Sequence, residues 1–474
     1  MGDGLASFDG FAPEGWSRPA IAAALGRCLG GDAPAARLLC LSLAVPVQPA
    51  ERLLSLRNYA DAVLWSPTPA HDYAGVGAAR VLIGTGAERF AQVEEAAAGL
   101  FAQLAEIAVD CVPPPAVRIV GGLAFAAGTE SSRLWRGFSD ARFLLPRIVY
   151  ERCGSLAWLR LTAGSDEMAC PARRSHLANE AHRALRALGE AGPARAAGGG
   201  ARPGGRSGAE ASWIRLVAGI RAEIAAGRLE KVVAARRIVL AGNYSCSATP
   251  VLQALRTEAP NCTRFALRRG ASSFVGASPE LLLRQTGQRV WTEAIAGTAA
   301  GGDLATEQAL LRSAKDHGEQ AIVVRDIRSL LGPRCRTVSC AGPELQRLHG
   351  LRHLRTRFAA VLDEPAHILR LLAHLHPTSA IGGAPRAAAL AWLGAHEHSD
   401  RGYYGGPFGV FGARGDGEFV VAIRSALLGA TAAHVFAGAG IVAASETEAE
   451  WRETQAKSAP LLAALHGSLA QRPA

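Results

Sequence analysis

Three lysines stand against forty-eight arginines in this 474-residue chain, Lys231, Lys315 and Lys457, with none in the first 230 residues. Arginine stays protonated near neutral pH, whereas a desolvated lysine can give up its proton and act as a base. In a chain that uses arginine almost everywhere, the lysines mark positions where a fixed guanidinium would not serve. Glu450, Glu453 and Lys457 are spaced by three and four residues, so on a helix they share one face. That is the pattern of a solvated, ion-paired surface, and equally of an acidic site with its own counter-charge. A further acid, Glu319, closes the run from Ser313 through Lys315 and Gly318. Carboxylates brought together from two helices offer the hard oxygen ligands that magnesium takes, although spacing does not show that they meet.

Three other residues qualify as chemical groups. Lys231 sits beside Val232 and Val233, surroundings that would desolvate it and suit it to general base work; it could also be a strand-edge lysine. Glu280 follows Pro279 and is either a turn residue or, in an apolar pocket, a general acid. Arg424, among Val421, Ala422, Ile423 and Ser425, is costly to bury without an anion, so a bound carboxylate is its natural partner. Gly438 to Gly440 reads as a glycine-rich turn whose backbone N–H groups an anion could approach.

The elements that must position these groups follow from apolar periodicity. Strands are expected at Ala36 to Val45, Ala62 to Trp65, Arg118 to Phe125 and Lys231 to Leu240. Phe274 to Arg284 and Arg289 to Ile295 read as paired strands around Gly287, and Phe419 to Leu428 with Ala433 to Val442 as a hairpin. Helices are expected at Glu88 to Ile107, Ala172 to Leu188, Trp213 to Ala226, Glu307 to Leu331, Ala366 to His374 and Pro385 to Gly394. A last helix would start at Ser445, with Glu448 completing a capping box, and run to about Leu465. The run from Ala191 to Gly208 is too rich in Gly, Pro, Ala and Arg to bury apolar area. It divides the chain into an N-terminal region (1–190), a flexible linker (191–212), a catalytic domain (213–466) and a tail (467–474). Hairpins mixed with helices outside any βαβ order give the α+β class.

Composition narrows the function. At 49% hydrophobic and 19% charged residues, the chain has ample material for a large core. No stretch reads as a leader or membrane span, so a cytoplasmic location without membrane contact is expected. Nine scattered cysteines without paired spacing argue for reduced, mostly buried thiols and against a zinc site. The formal charge of +10 is spread along the chain with no aromatic interleaving, which speaks against nucleic acid as a partner.

The second half resembles the chorismate-utilising enzymes, the family of isochorismate, salicylate, anthranilate and aminodeoxychorismate synthases. LEKVVAAR, FVGASPELLLR, AIAGTAAGG, SAKDHGEQAIVV, HLRTRF, LHPTSAIGGAPR, RGYYGGPFG, FVVAIRSA, FAGAGIVAAS and EAEWRETQAK follow in the family's order. WSPTPAHDYAGVGAA and GGLAFAAGTESSRLWRGFSDARFLLP resemble it more loosely in the first half. The resemblance implies two large antiparallel sheets facing each other with helices outside. It implies that Glu319 and Glu453, with Glu450 close by, hold magnesium on the ring carboxylate of chorismate. Arg424 and the backbone at Gly438 would take the enolpyruvyl carboxylate, with Tyr404 and Lys457 nearby, and Gly297, Thr298 and Ala380 would also contact substrate. Lys231 would deprotonate a water attacking C2, and Glu280 would protonate the departing C4 hydroxyl.

Within the family, Ala296 before Gly297 and Thr298 removes the nucleophilic lysine of aminodeoxychorismate synthases. Lys231 is a base that anthranilate synthases lack, so no glutaminase subunit is expected and the pattern is that of a monomeric isochorismate synthase. A salicylate synthase, which goes on to eliminate pyruvate, is the alternative. Gln320, where a histidine commonly follows the metal-binding glutamate, and Val410, where an aromatic is frequent, are departures.

Overall fold

The computed structural model describes residues 17–27, 37–109, 112–190, 206–348 and 350–470. Most of the expected linker and part of the tail lie outside them. Arg206 to Ser212, expected as linker, instead form the start of the helix Arg206–Ala225.

Two large sheets face each other. The first runs through Lys231–Ala241, Ala432–Ile441, Ser425–Leu428, Ser272–Ser278, Thr263–Arg269 and Asp61–Thr68 to the long strands His71–Gly84 and Ala141–Cys153. The second runs through Arg118–Leu123, Pro407–Gly412, Gly417–Val421, Leu281–Thr286, Arg289–Ala300, Leu351–Leu362 and Cys335–Leu348. Ala141–Cys153 joins them, because it pairs along its length with His71–Gly84 and its first residues pair also with Arg118–Leu123. Phe408 of the second sheet stacks on Phe265 and Trp65 of the first, at 5.0 and 6.3 Å between ring centroids, so the aromatic core lies between the sheets.

Two chain runs cross from one sheet to the other at the same place. Phe274 to Arg284, expected as one strand, breaks at Pro279 and Glu280, and Phe419 to Leu428 breaks at Ala422 to Arg424. The runs are antiparallel partners on both sides of the break. Across it the Ala277 N–H donates to the Arg424 carbonyl and the Val421 N–H to the Glu280 carbonyl, each at 3.1 Å. Pro279 has no N–H for a ladder, and Arg424 takes a left-handed φ of 53°. The crossing thus turns Glu280 and Arg424 out of the pleat.

Other differences from the expected elements have local causes. The helix from Glu88 ends at Phe101, because Leu104–Ala108 is recruited as a parallel partner of Leu38–Ala44. The helix expected over Glu307 to Leu331 is two helices, Leu304–Arg312 and Ala314–Leu331, since the Ser313 hydroxyl accepts from the Asp316 N–H and starts a new helix. Ser445 does not cap the last helix, Thr447–Ala470; its hydroxyl accepts from the Val442 N–H. The seven described cysteines are free, but only Cys40 and Cys335 are buried. Among the described residues, no helix is long and apolar enough to cross a membrane.

Gly402, just before Tyr403 and Tyr404, has φ 49°, and a Cβ there would lie 2.0 Å from the buried Trp135 ring. Gly402→Ala should therefore cost roughly 2–4 kcal/mol in urea unfolding, from overpacking plus backbone strain. A loss under about 0.5 kcal/mol, within the range of an ordinary surface change, would contradict this packing.

Candidate active site

A cleft of about 650 Å³, counted to its opening, lies at the sheet crossing. Its walls include Glu280, Gly297, Thr298, Glu319, Ala380, Tyr404, Arg424, Gly438 and Lys457, nine of the residues singled out from sequence. Lys231, Glu450 and Glu453 do not form its surface; Lys231 and Glu453 stand behind it, each paired with a wall residue, Glu319 and Lys457.

The three lysines and the three acidic candidates for a metal are paired one to one. Lys231 Nζ lies 2.9 Å from Glu319 Oε1, Lys457 Nζ 2.5 Å from Glu453 Oε1, and Lys315 Nζ 2.5 Å from Glu450 Oε1. Lys231 is 1% exposed, at the start of its strand where it pairs with Ala384. Glu319 comes from the helix that Ser313 starts, and Glu450, Glu453 and Lys457 from one face of the last helix. Burial pushes the Glu319 carboxyl up, but the charges of Lys231, Lys457 and Lys315 outweigh it and hold it below the ordinary carboxylate range. Burial and the nearby Glu450 and Glu319 raise Glu453 despite Lys457.

Gly438 and Gly440 are in a regular strand, not in the expected turn. Gly440 is what lets the buried pair form, because a Cβ there would lie 2.0 Å from Glu319 Oε1 and 2.9 Å from Lys231 Cε. The Gly438 carbonyl accepts from Lys457 Nζ at 3.2 Å. Gly297, with φ 73°, sits in a bulge of Arg289–Ala300 that offers Thr298 to the cleft. Tyr404 stacks on Phe436 at 5.3 Å, and burial raises its hydroxyl to about 12.

Glu280 is strongly altered by its surroundings. Burial and then the charge of Glu293 push its carboxyl to about 8, against the opposing pull of Lys231, Lys457 and Arg424. At pH 7 it holds a proton it can deliver, as a general acid must. Arg424 faces the same cleft. Among the described residues its guanidinium donates to the Lys457 carbonyl at 2.9 Å and to His353 Nε2 at 3.2 Å, with no carboxylate partner.

The donor chemistry fits magnesium: three carboxylates, Glu319 and Glu450 buried and Glu453 partly so, each have one ammonium partner. They are not all gathered as a metal would gather them. Among the described residues, the trio with donor atoms within 4.8 Å of one another is His71, Glu151 and Cys153. There Arg118 and Arg160 already hold Glu151, at 2.6 and 2.8 Å, and leave no place for a cation.

The signature of the chorismate binding enzymes matches residues 28–466. The chain belongs to this family. It is 37% identical over 401 residues to the salicylate biosynthesis isochorismate synthase of Pseudomonas aeruginosa, a match covering 82% of each chain. Against isochorismate synthase MenF of Escherichia coli it is 32% identical over 337 residues, covering 68% of this chain and 75% of that one. The solved structure of MenF, the menaquinone-specific isochorismate synthase from E. coli, superposes with a TM-score of 0.76 at 26% identity, covering 94% of this chain and 99% of that one. Anthranilate synthase component I from Streptococcus pneumoniae, at 20% identity and TM-score 0.59 over 90% of this chain and 92% of that one, shares the fold.

Sequence reasoning missed one residue that lines this cleft. His353, within the HLRTRF run, is 3% exposed and lines the cleft, but a single histidine in an arginine-rich strand carries no spacing signal. Lys315 was marked by its rarity and not by its partner, Glu450. Gln320, the departure from the usual histidine, is an anchor: its amide donates to the Ala294 carbonyl at 3.0 Å and to Thr356 Oγ1 at 3.1 Å, fastening the Glu319 helix to the sheet.

Because its carboxyl is raised, Glu280 should keep its proton at pH 7 and release it as pH rises through about 8. Difference infrared spectra of wild type and Glu280→Gln should show one protonated-carboxyl band that fades over that interval. A Glu280 already ionised at pH 6 would contradict the assignment.

Proposed function

We propose that the protein is a magnesium-dependent isochorismate synthase, converting chorismate reversibly to isochorismate by adding a hydroxyl at C2 and losing the one at C4. The observation that carries this reading is the buried, proton-bearing Glu280 in the same cleft as the unpaired Arg424, with Lys231 directly behind the wall. Chorismate brings two carboxylates. Arg424 takes the enolpyruvyl carboxylate, because burying its guanidinium is favourable only with an anion against it. Tyr404, Ala380 and the backbone at Gly297 and Gly438 shape the surface on which the ring rests.

The proton steps balance. Lys231 takes a proton from the water that attacks C2, and Glu280 gives its proton to the C4 oxygen, which leaves as water. One water enters, one leaves, and the product is an isomer. Lys231 is paired with Glu319 in this structure; it accepts the proton only as the free amine, a form that the neighbouring carboxylate disfavours and that is favoured once Glu319 is engaged elsewhere. Glu319 and Glu453, with Glu450, would hold magnesium, which when bound supplies positive charge to the ring carboxylate. On this reading residues 213–466 carry the chemistry, the N-terminal region completes the sheets, and the linker between them ends before the helix Arg206–Ala225. The enzyme works as a cytoplasmic monomer without a glutaminase subunit, and its product feeds menaquinone or salicylate and siderophore synthesis.

Purified protein incubated with chorismate and magnesium should yield isochorismate, resolved by chromatography, and no isochorismate without the metal. Salicylate with pyruvate would show a salicylate synthase, and binding without turnover a non-catalytic member. Lys231→Ala should lower kcat by roughly 10²–10⁴-fold, the usual contribution of a general base, with chorismate binding kept within a few-fold. Lys231→Arg should fail equally, since it keeps the charge and not the base; near-normal turnover in either variant removes Lys231 from the mechanism. Glu453→Gln should raise the magnesium concentration for half-maximal activity at least about tenfold, the effect of losing one charged ligand, and an unchanged titration would place the metal elsewhere.

A further inference from the structure

His353 stands between two residues that face the cleft. Its Nε2 is 3.2 Å from Arg424 Nη2, and its Nδ1 is 3.0 Å from Thr298 Oγ1. The direction of both bonds follows from what each group is able to do. A guanidinium only donates, so Nε2 must accept and cannot carry a proton. Burial, with the charges of Arg424 and Lys457, holds the imidazole well below its ordinary range, so it is neutral and its single proton is on Nδ1. A protonated Nδ1 has no lone pair to offer. Thr298 Oγ1 therefore accepts from it, and the Thr298 hydroxyl hydrogen is excluded from that bond.

We infer that His353 is a positioning residue: held as the Nδ1–H tautomer, it aligns Arg424 and makes the Thr298 hydroxyl a donor into the cleft, aimed at a carboxylate oxygen of the substrate. The inference rests on the chorismate reading for the identity of that carboxylate, though the tautomer does not depend on it. It also sets a chemical preference. The ligand group facing Thr298 must accept a hydrogen bond, so an oxyanion fits and a ligand N–H there leaves two donors opposed. The imidazole makes the two donors interdependent, because loss of the Arg424 contact would free Nε2 to take the proton and reverse the bond to Thr298.

The test uses the full-length protein labelled with ¹⁵N in histidine, with the His353 signals assigned by their loss in His353→Gln. Expected is a protonated Nδ1 and a bare Nε2 at pH 7; a protonated Nε2 or an imidazolium overturns the inference. In chorismate kinetics, Thr298→Val should raise KM about tenfold, the worth of one hydrogen bond to a charged acceptor, while Thr298→Ser restores it. An unchanged KM in Thr298→Val, or no rescue by serine, also overturns it, and neither readout needs the His353 variant to fold. In the His353→Gln background, Thr298→Val should add less than about a twofold loss, because the coupling is already broken, whereas full multiplication of the two losses shows independence and counts against it. A wild-type protein that neither binds nor turns over chorismate would defeat the functional reading alone, since the tautomer spectrum would still decide the geometry.

Discussion

Three carboxylates held close together out of water must be neutralised, and much of the site's design follows from how this chain does it. Glu319, Glu450 and Glu453 each lean on one lysine, and those are the only three lysines in the sequence. Several other acids are clamped by arginine. Arg347 and Arg352 grip Glu307, Arg401 holds Glu397 through two nitrogens, and Arg264 with Arg256 secures Glu51. A planar, forked guanidinium makes a rigid lock, whereas an ammonium is a point charge that can be exchanged for another cation. On the proposed reading, lysine stands where a metal would displace the pair.

The fold supplies the meeting place. Two antiparallel runs leave one sheet and join the other at Pro279–Glu280 and Ala422–Arg424, so an acid and a guanidinium leave the pleat at one point. Gly440 removes the side chain that would keep Glu319 from Lys231. Burial then does the electrostatic work, raising Glu280 into the range where a carboxyl can deliver a proton at neutral pH.

The sequence made much of this legible, and the misses have physical causes. Lysine scarcity pointed to Lys231, Lys315 and Lys457, and three-four spacing put Glu450, Glu453 and Lys457 on one helical face. The sheet-rich α+β class was readable from period-two runs. The breaks at Ser313, at Pro279–Glu280 and at Ala422–Arg424 were not, because each depends on a cap or on a partner run distant in sequence. Leu104–Ala108 was read as helix because its apolar residues suit either state, and only pairing with Leu38–Ala44 decides. His353 was missed for a related reason: its role lies in the direction of two hydrogen bonds, which spacing does not encode.

The claim that the lysines hold the place of a divalent cation is tested most directly by calorimetric titration of magnesium into wild type and Lys315→Met. Removing one positive charge beside the carboxylates should tighten magnesium binding by about tenfold, the change expected from one charge interaction of roughly 1–2 kcal/mol at partly buried distances. Unchanged or weaker binding in the variant would contradict the account, because it would mean that the lysines and the metal do not compete for the same carboxylates.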